Sequence, residues 1–188
     1  ADSPAKLLVD RKRIETTNAS CGLGYVKTTM TGANLNTFTV NKTAPGTSWG
    51  SVYAQFTQRT TDITDASMGL SVKRELIYDG ELKVGSKVKV RITITADRDY
   101  DFVQVVDKRA ACMEPIDQIS GYMRGYYYSP RDNATYYYTD MMRKGTHVIE
   151  ATYYIDRPGT FTTGTCTVQC AYSPAYMART KSQTLMIK

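Results

Sequence analysis

Residue types on which many enzymes and metal sites depend are scarce in this sequence. It has a single histidine, His147, and its four cysteines include no Cys-x-x-Cys pair. These absences argue against a zinc site and leave any catalytic triad with only His147 to supply its base. Because His147 lies in a stretch of alternating polarity, a strand residue with a local hydrogen bond is the favoured interpretation. We therefore expect no enzymatic activity, no bound metal and no cofactor.

Long apolar runs and phosphate-binding glycine loops are also missing. No stretch approaches the roughly 20 apolar residues of a membrane helix, so no membrane insertion is expected. The segment Gly22-Leu23-Gly24 is too short for a phosphate loop and precedes no predicted helix. No signal peptide opens the sequence, which leaves export undecided.

The charge balance is basic but dispersed. Lysine and arginine exceed aspartate and glutamate by 24 to 18, a net charge of +6. The positive residues are scattered rather than gathered into a patch, so a nucleic-acid partner is not expected. The acidic segment 97–101 contains Arg98 among its aspartates and lacks EF-hand spacing, which favours a salt-bridged turn over a calcium site.

What the sequence has in abundance is tyrosine, with 15 residues, together with recurrent alternation of polarity. In the segment 87–95 the inward positions are all branched and apolar: Val88, Val90, Ile92 and Ile94. That alternation predicts a strand with one buried and one wet face, and tyrosine and threonine suit such surfaces. Further strands are predicted at 6–14, 35–41, 48–57, 70–78, 102–107, 134–139, 146–156, 160–172 and 182–187, with a hairpin turn at Pro158-Gly159.

About ten short strands and one weak helical candidate, 114–122, predict an all-β fold. We expect an antiparallel two-sheet β-sandwich of the fibronectin or macroglobulin type with little helix. At this length the chain predicts a single domain over 1–188. Within it, 1–60 would form an N-terminal strand group and 70–188 the main sandwich.

Two tyrosine triplets, 126–128 and 136–138, are the most unusual local feature. One interpretation is that alternate tyrosines cover the two faces of a sheet and pair across strands. The other is that exposed tyrosines stack on sugar rings or anchor a protein partner. Tyrosine rings lying in one plane along a groove would favour glycan binding.

The four cysteines, Cys21, Cys112, Cys166 and Cys170, fit either disulfides of an exported protein or buried thiols, and we favour export. In a strand, Cys166 and Cys170 would lie about 13 Å apart, at about 3.3 Å per residue. A disulfide requires Cα atoms about 4.4–6.8 Å apart, so these two are not expected to pair. Of the two remaining pairings, we prefer Cys112 with Cys170 and Cys21 with Cys166.

Two stretches carry short motifs in a fixed order. The first, 82–115, contains LKVG, VKVRITITADRDYDFV, VDKRA and EP, and the second, 144–174, contains KGTH, Glu150, PGT and QCAYSP. Together they resemble the last domain, of MG10 type, of bacterial alpha-2-macroglobulin-like proteins. Upstream, GYVK at 24–27 and SWGSVY at 48–53 resemble the segment that enters this domain after the thioester domain. The resemblance covers about 21–188.

The resemblance implies an exported protein, periplasmic or on the cell surface and in some members lipid-anchored, that traps proteases. In the family a bait region is cut, the molecule changes shape, and a Cys–Gln thioester acylates the protease. The thioester motif Cys-x-Glu-Gln is absent from this sequence and no bait region can be assigned. This chain therefore cannot perform the covalent step. The resemblance implies instead a domain that packs beside the thioester domain and shields it from water, with neighbouring domains as partners and proteases as indirect partners.

Shielding a thioester is a task for aromatic and methionine side chains. Candidate contacts with the thioester domain are Tyr172, Tyr176 and Met177 in the loop after the last motif, and Tyr122 and Met123 before Gly125. The three loop residues could instead fold back as a lid over the end of the sandwich. A second class of function also stays open, a cell-surface module that binds glycan or protein through its tyrosine-rich face.

Overall fold

The computed structural model describes residues 5–15, 17–18, 24–31 and 37–188. Its contacts divide the chain into two compact units, Ala1–Gln55 and Phe56–Lys188. Apart from one 3-10 turn at Thr60–Asp62, the regular structure in the described ranges is entirely β-strand, which confirms the predicted all-β class. Those ranges contain no helix of the length and apolarity needed to cross a bilayer.

The first unit contains a three-stranded antiparallel sheet in the order β2-β1-β5 and a short pairing of β3 with β4. Its strands are β1 (Lys6–Val9), β2 (Lys12–Ile14), β3 (Thr17–Asn18), β4 (Gly24–Tyr25) and β5 (Phe38–Asn41). Between β1 and β2, Asp10 and Arg11 have φ of 47° and 66°, the conformation of a tight two-residue hairpin turn. The strand predicted at 6–14 is therefore a hairpin of two strands.

The second unit is built around one antiparallel sheet of eleven strands in the order β10-β14-β8-β7-β6-β17-β16-β9-β13-β12-β11, while β15 pairs with β18. Its strands are β6 (Ala66–Met68), β7 (Leu70–Ile77), β8 (Lys87–Ala96), β9 (Tyr100–Lys108), β10 (Met113–Pro115), β11 (Gly121–Met123), β12 (Tyr126–Pro130), β13 (Ala134–Met142), β14 (Gly145–Ile155), β15 (Gly159–Thr162), β16 (Cys166–Cys170), β17 (Met177–Arg179) and β18 (Thr184–Ile187).

This sheet folds over on itself into two layers. Strands β13 and β14 stand seven places apart in its order, which in a flat sheet would separate them by about 34 Å at about 4.8 Å per strand. Yet the hydroxyl oxygens of Thr135 on β13 and Tyr153 on β14 lie 2.7 Å apart. The sheet bends over between β6 and β7, which are joined by a single residue pair, Met68 with Leu70. Gly69, between these two residues, has a φ of 72°. The chain thus forms the expected β-sandwich.

The core lies between the two layers and contains the predicted inward set of β8. Val88, Val90, Ile92 and Ile94 are 0–2% exposed. The facing layer contributes buried side chains from β9, β13 and β16, namely Val103, Val105, Tyr137 and Val168. The alternation seen in the sequence therefore gave the correct face for this strand.

A buried ion pair joins the layers. Arg74 of β7 donates to the Asp107 carboxylate of β9 at 2.9 Å, and both side chains are 2% exposed. Arg74 also donates to Lys108 O at 2.9 Å, and to Thr163 Oγ1 and Gly164 O at 2.6 Å each. Because a buried guanidinium requires such partners, this cluster ties β7, β9 and the 163–164 loop together.

Three predicted elements are wrong. The segment 48–57 forms no strand, because alternation alone supplies no neighbour with which to hydrogen-bond. The 114–122 helix is replaced by β10 and β11, each paired to another strand. The hairpin across Pro158-Gly159 does not form: β14 pairs with β8 and β10, β15 with β18, and β16 with β9 and β17. A turn signal predicts a change of direction, but not which strand becomes the neighbour.

Candidate functional site

The candidate contact residues fall into two groups in the second unit. Tyr172, Tyr176 and Met177 lie at the end where β16 leads into β17, and Tyr122 and Met123 lie in β11, which ends the sheet order. Tyr172 and Tyr122 are 79% and 86% exposed, Met123 is 38% exposed, and the other two are half-buried.

The loop between β16 and β17 is held by backbone hydrogen bonds. Ala171 N donates to Phe102 O at 2.8 Å, Tyr176 N to Ser173 O at 2.9 Å, and Cys170 N to Tyr176 O at 3.1 Å. The side chain of Gln169 adds a bond to Pro174 O at 3.1 Å. A loop held in this way presents its side chains in one arrangement, which lowers the entropy lost when a partner binds.

Tyr172 forms an exposed aromatic pair with Phe102. Their ring centroids lie 5.1 Å apart, edge to face at 89°, and Phe102 is 47% exposed. Phe102 has φ of 52°, which interrupts the alternation of β9, so that Tyr100 and Val103 are buried while the two residues between them are exposed. The sequence analysis did not single out Phe102, because its exposure depends on this backbone conformation.

Tyr176 instead packs inward, as a lid residue would. Its ring lies 5.5 Å from that of Tyr100, and the Arg98 guanidinium lies 5.4 Å from its centroid. Tyr176 also packs against the buried core cluster. The two interpretations of the loop thus separate by residue, with Tyr176 on the core side and Tyr172 on the solvent side.

The acidic segment after β8 forms a salt-bridged turn. Asp97 accepts from Arg98 at 2.9 and 3.0 Å and from the Tyr100 hydroxyl at 2.5 Å. These bonds, that from Arg98 first, lower the pKa of Asp97 to about 2. Burial, followed by the bond to Asp97, raises the pKa of Tyr100 to about 12. Asp99 accepts from Arg143 at 2.8 Å and Lys144 N at 2.7 Å.

Titratable groups elsewhere in the described ranges form no metal cluster. Those ranges contain no set of three or more His, Cys, Asp or Glu side chains arranged to hold an ion. His147 Nε2 lies 2.7 Å from Arg143 O, which is the local hydrogen bond predicted for it.

The outer face of β11, β12 and β13 carries a row of tyrosines. Tyr122 is the direct cross-strand neighbour of Tyr127, and Tyr127 of Tyr138. Tyr122 and Tyr127 meet edge to face, with centroids 5.3 Å apart at 75°, and Tyr127 and Tyr138 lie 6.5 Å apart at 44°. These three rings are tilted against one another, whereas the rings of Tyr136 and Tyr138 on the same face are nearly parallel, at 12°.

The described cysteines are buried thiols. Cys112, Cys166 and Cys170 are free, so the preferred Cys112–Cys170 disulfide is not formed. Cys170 Sγ donates to Asp101 O at 3.1 Å, whereas Cys112 O, beside β10, accepts from Asp156 N at 2.9 Å. Burial raises the pKa of the Cys112 and Cys166 thiols. Cys21, and with it the proposed pairing to Cys166, lies outside the described residues.

Comparison with known proteins assigns the sandwich to a family. The sequence profile described as the bacterial alpha-2-macroglobulin MG10 domain matches residues 53–175. The chain belongs to this family. The MG10 match includes Phe102, Tyr122 and Tyr172 and ends just before Tyr176.

Solved structures support the same fold. The chain is similar to Salmonella alpha-2-macroglobulin reacted with methylamine, at 22% identity and a TM-score of 0.60 over 67% of this chain and 10% of that one. It is also similar to trypsin-activated alpha-2-macroglobulin from Escherichia coli, at 17% identity and a TM-score of 0.60 over 67% and 11%. A native E. coli structure spanning domain MG7 to the C-terminus matches at 16% identity and a TM-score of 0.60 over 68% and 25%.

The chain thus spans between a tenth and a quarter of the length of these relatives. No curated protein sequence matches it. The structural likeness shows a shared fold, and the profile match shows the MG10 family.

Proposed function

We propose that the chain is a non-catalytic structural and interaction domain of a bacterial alpha-2-macroglobulin-like, protease-trapping protein. In this proposal it packs beside the thioester domain of the same parent chain and shields the thioester from water. The parent would be exported to the periplasm or cell surface, in lipid-anchored form, and proteases would be indirect partners. The proposal rests on membership of the MG10 family together with one surface feature, the exposed Phe102–Tyr172 pair.

That pair has the properties of a contact point rather than of a core. Two aromatic rings stay exposed on a loop that backbone hydrogen bonds hold in place, and aromatic side chains of this kind are enriched at the centres of interfaces. Rings that exclude water would slow hydrolysis of a neighbouring thioester bond. Tyr122, with Met123, supplies a second exposed contact candidate on β11.

The thiols support a non-catalytic role. The thiolate is the nucleophilic form of cysteine, and burial raises the pKa of Cys112 and Cys166 and so disfavours that form. We accordingly expect that the isolated chain neither hydrolyses substrates nor inhibits a panel of proteases. Stoichiometric inhibition by the isolated chain would contradict the proposal.

The contact role is tested in the full-length parent with Tyr172→Ala. The expected result is faster appearance of free thiol from the thioester, measured with a chromogenic thiol reagent over time. Tyr154→Ala, which removes an exposed tyrosine of β14 from the other layer of the sandwich, should leave the rate unchanged. A benzophenone amino acid placed at position 172 should also cross-link to the thioester domain. Unchanged thiol release together with no such cross-link would refute the contact.

A second candidate function is binding of a glycan or protein by the tyrosine row of Tyr122, Tyr127 and Tyr138. Its support is exposure, since these tyrosines are 38–86% exposed. Loss of binding to a glycan array in Tyr122→Ala, with Tyr172→Ala unaffected, would favour the glycan alternative.

A further inference from the structure

A cleft of about 350 Å³ lies at one end of the tyrosine row, on the outer face of β11, β12 and β13. Its lining includes three tyrosines, Tyr122, Tyr127 and Tyr138, and one acidic residue, Asp140. We refer to it as the tyrosine cleft. All of its lining residues belong to the second unit, so the cleft is formed within the sandwich itself.

The strand register brings these four residues to one place. Tyr122 lies directly opposite Tyr127, and Tyr127 lies opposite Tyr138, so the three rings project from the same face of the sheet. Asp140 follows Tyr138 by two positions in β13, and alternate residues of a strand project from the same face. The sequence therefore places a carboxylate beside three aromatic rings.

The three rings stand around the cleft at different angles. The ring planes of Tyr122 and Tyr127 meet at 75°, and those of Tyr127 and Tyr138 meet at 44°. Rings at such angles can turn their faces toward a single group placed between them. The face of an aromatic ring carries negative potential, and it attracts a cation that lies within about 6 Å of the ring centroid. This arrangement suits a positively charged group.

Asp140 adds a full negative charge to the cleft. Its side chain is exposed, and within the described part of the chain it has neither an ion-pair partner nor a hydrogen-bond partner. In that same part of the chain, the arginines that lie over tyrosine rings are over Tyr176 and Tyr153, and not over the rings of the cleft. Because the carboxylate and the ring faces both attract positive charge, the cleft favours an organic cation and disfavours an anion.

The turn after β8 shows how the same combination of groups holds an arginine. Arg98 donates to the Asp97 carboxylate through two nitrogens, at 3.0 and 2.9 Å. Its guanidinium also lies 5.4 Å from the centroid of the Tyr176 ring. A planar guanidinium can bind a carboxylate through two hydrogen bonds and contact an aromatic face, whereas an ammonium group is a compact point charge. The tyrosine cleft offers both kinds of group to a guanidinium.

The exposure of the cleft indicates what carries this guanidinium. A free small ligand normally has about 70–90% of its surface buried in its pocket, and Tyr122, at 86% exposed, does not enclose one. An arginine on a polypeptide needs only its tip held, because other residues of the partner contact the surrounding surface. That surface continues from Tyr138 to Gln104 and Gln169, which lie opposite one another in the same row and carry no charge.

We propose that the tyrosine cleft binds the guanidinium of an arginine side chain on a partner protein. The ring faces of Tyr122, Tyr127 and Tyr138 contact the guanidinium, and the Asp140 carboxylate accepts its hydrogen bonds. This inference deepens the second candidate function, a protein contact through the tyrosine row, and rests on it. It is independent of the shielding role of Tyr172.

The test is a titration of the chain 1–188 with short peptides, followed by NMR. One probe is an acetylated and amidated Gly-Arg-Gly peptide, and the control probe replaces its arginine with citrulline, which has the same shape without the charge. The arginine peptide should shift the ring resonances of Tyr122, Tyr127 and Tyr138 to saturation. It should bind at least about tenfold more tightly than the citrulline peptide, because only the guanidinium is charged. Equal affinities, or shifts confined to other faces, would overturn the proposal.

Matched substitutions test the role of the carboxylate. Asp140→Asn keeps the shape of the side chain and should weaken binding of the arginine peptide at least about fivefold, because the charged acceptor is lost. Asp132→Asn, at an exposed aspartate beyond the opposite end of β13, makes the same change in net charge and should leave the affinity unchanged. Tyr122→Ala should weaken binding as well, and none of the three variants should lower the melting temperature, since all three positions are exposed. Equal effects of the two aspartate substitutions would overturn the proposal.

Two further probes identify the class of cation. A Gly-Lys-Gly peptide should bind at least about threefold more weakly than the arginine peptide, and equal binding would overturn the assignment to a guanidinium. Tetramethylammonium that binds more tightly than the arginine peptide would make a small cation the ligand and would also overturn the proposal.

Failure of this inference can be told apart from failure of the proposed functions. Glycan binding that Tyr122→Ala abolishes, without any binding of the arginine peptide, would overturn the arginine site and leave the second candidate function standing. Thiol release from the parent protein with Tyr172→Ala tests the shielding role at a different surface.

Discussion

The two faces of β12 and β13 differ sharply although their sequences are almost uniform. Tyr128 and Tyr137 point inward and are each 2% exposed, with ring centroids 5.6 Å apart. Their neighbours Tyr127 and Tyr138 point outward and are 38% and 40% exposed. The same residue type therefore packs the core on one face and forms a surface row on the other, one position along the chain.

Both interpretations of the tyrosine triplets therefore apply: tyrosines of one face pack in the core, and those of the other face are exposed for contacts. On the inner face the hydroxyl of the buried Tyr128 is paired, since it donates to Asp117 O at 2.6 Å. On the outer face the row lies beside Gln104, the cross-strand neighbour of Tyr138. Substitutions of inner-face tyrosines should therefore change the stability of the fold, and substitutions of outer-face tyrosines should change contacts with a partner.

The largest loss of stability is expected when the buried ion pair of Arg74 and Asp107 is broken. Arg74→Ala leaves the Asp107 carboxylate buried without its partner and should lower the free energy of unfolding by about 3–5 kcal/mol. Urea denaturation monitored by circular dichroism measures the change. Arg74→Met combined with Asp107→Leu removes both charges and should cost much less than Arg74→Ala. A double variant as unstable as the single one would show that packing, rather than the lost charge partner, dominates at this site.

The next effect separates the two faces of β8. Ile92→Ala creates a cavity in the core and should lower the free energy of unfolding by about 2–5 kcal/mol. Lys89→Ala, on the wet face, should change it by less than about 0.5 kcal/mol, because its 3.9 Å pair with Glu150 is exposed. If Lys89→Ala were the more damaging of the two, the inward and outward sets of β8 would be exchanged.

The features predicted correctly from the sequence are those that depend on neighbouring residues in the chain. Alternation identified the inward set of β8 and predicted β7 to within one residue at its end. It failed for the 146–156 and 160–172 hairpin, because which strand becomes a neighbour depends on the layer to which the chain crosses. It also gave no sign of the buried Arg74, whose partner Asp107 lies 33 residues away on the other layer.

The candidate site was predictable in outline only. The loop after β16 was identified from its aromatic and methionine content, but composition cannot assign Tyr176 to the core side and Tyr172 to solvent. Phe102 was missed because its exposure follows from a positive φ, which no pattern in the sequence indicates.

A smaller effect should separate Tyr176 from Tyr172. Tyr176→Ala removes the ring that packs on Tyr100 beneath Arg98 and should lower the free energy of unfolding of the isolated chain by about 2 kcal/mol. Tyr172→Ala should change it by less than about 0.5 kcal/mol, since the ring is exposed. Thermal denaturation compares the two variants directly. Equal destabilisation would mean that Tyr172 also belongs to the lid over the sandwich end.

The smallest expected effect is a pH dependence of stability that arises at Asp97, in the turn beside Tyr176. Because Arg98 and Tyr100 donate to Asp97, the folded pKa of Asp97, about 2, lies below the ordinary value of 3.8. A carboxyl group with a lowered folded pKa stabilises the fold above its unfolded pKa and loses that contribution as pH falls. Melting temperatures of the unmodified chain and of Asp97→Asn should therefore differ at pH 5 and above, and converge between about pH 4 and pH 2. Since the pair is exposed, 1 M salt should shrink the difference at every pH. A difference that grows on acidification would show that Asp97 is held by contacts other than its charge.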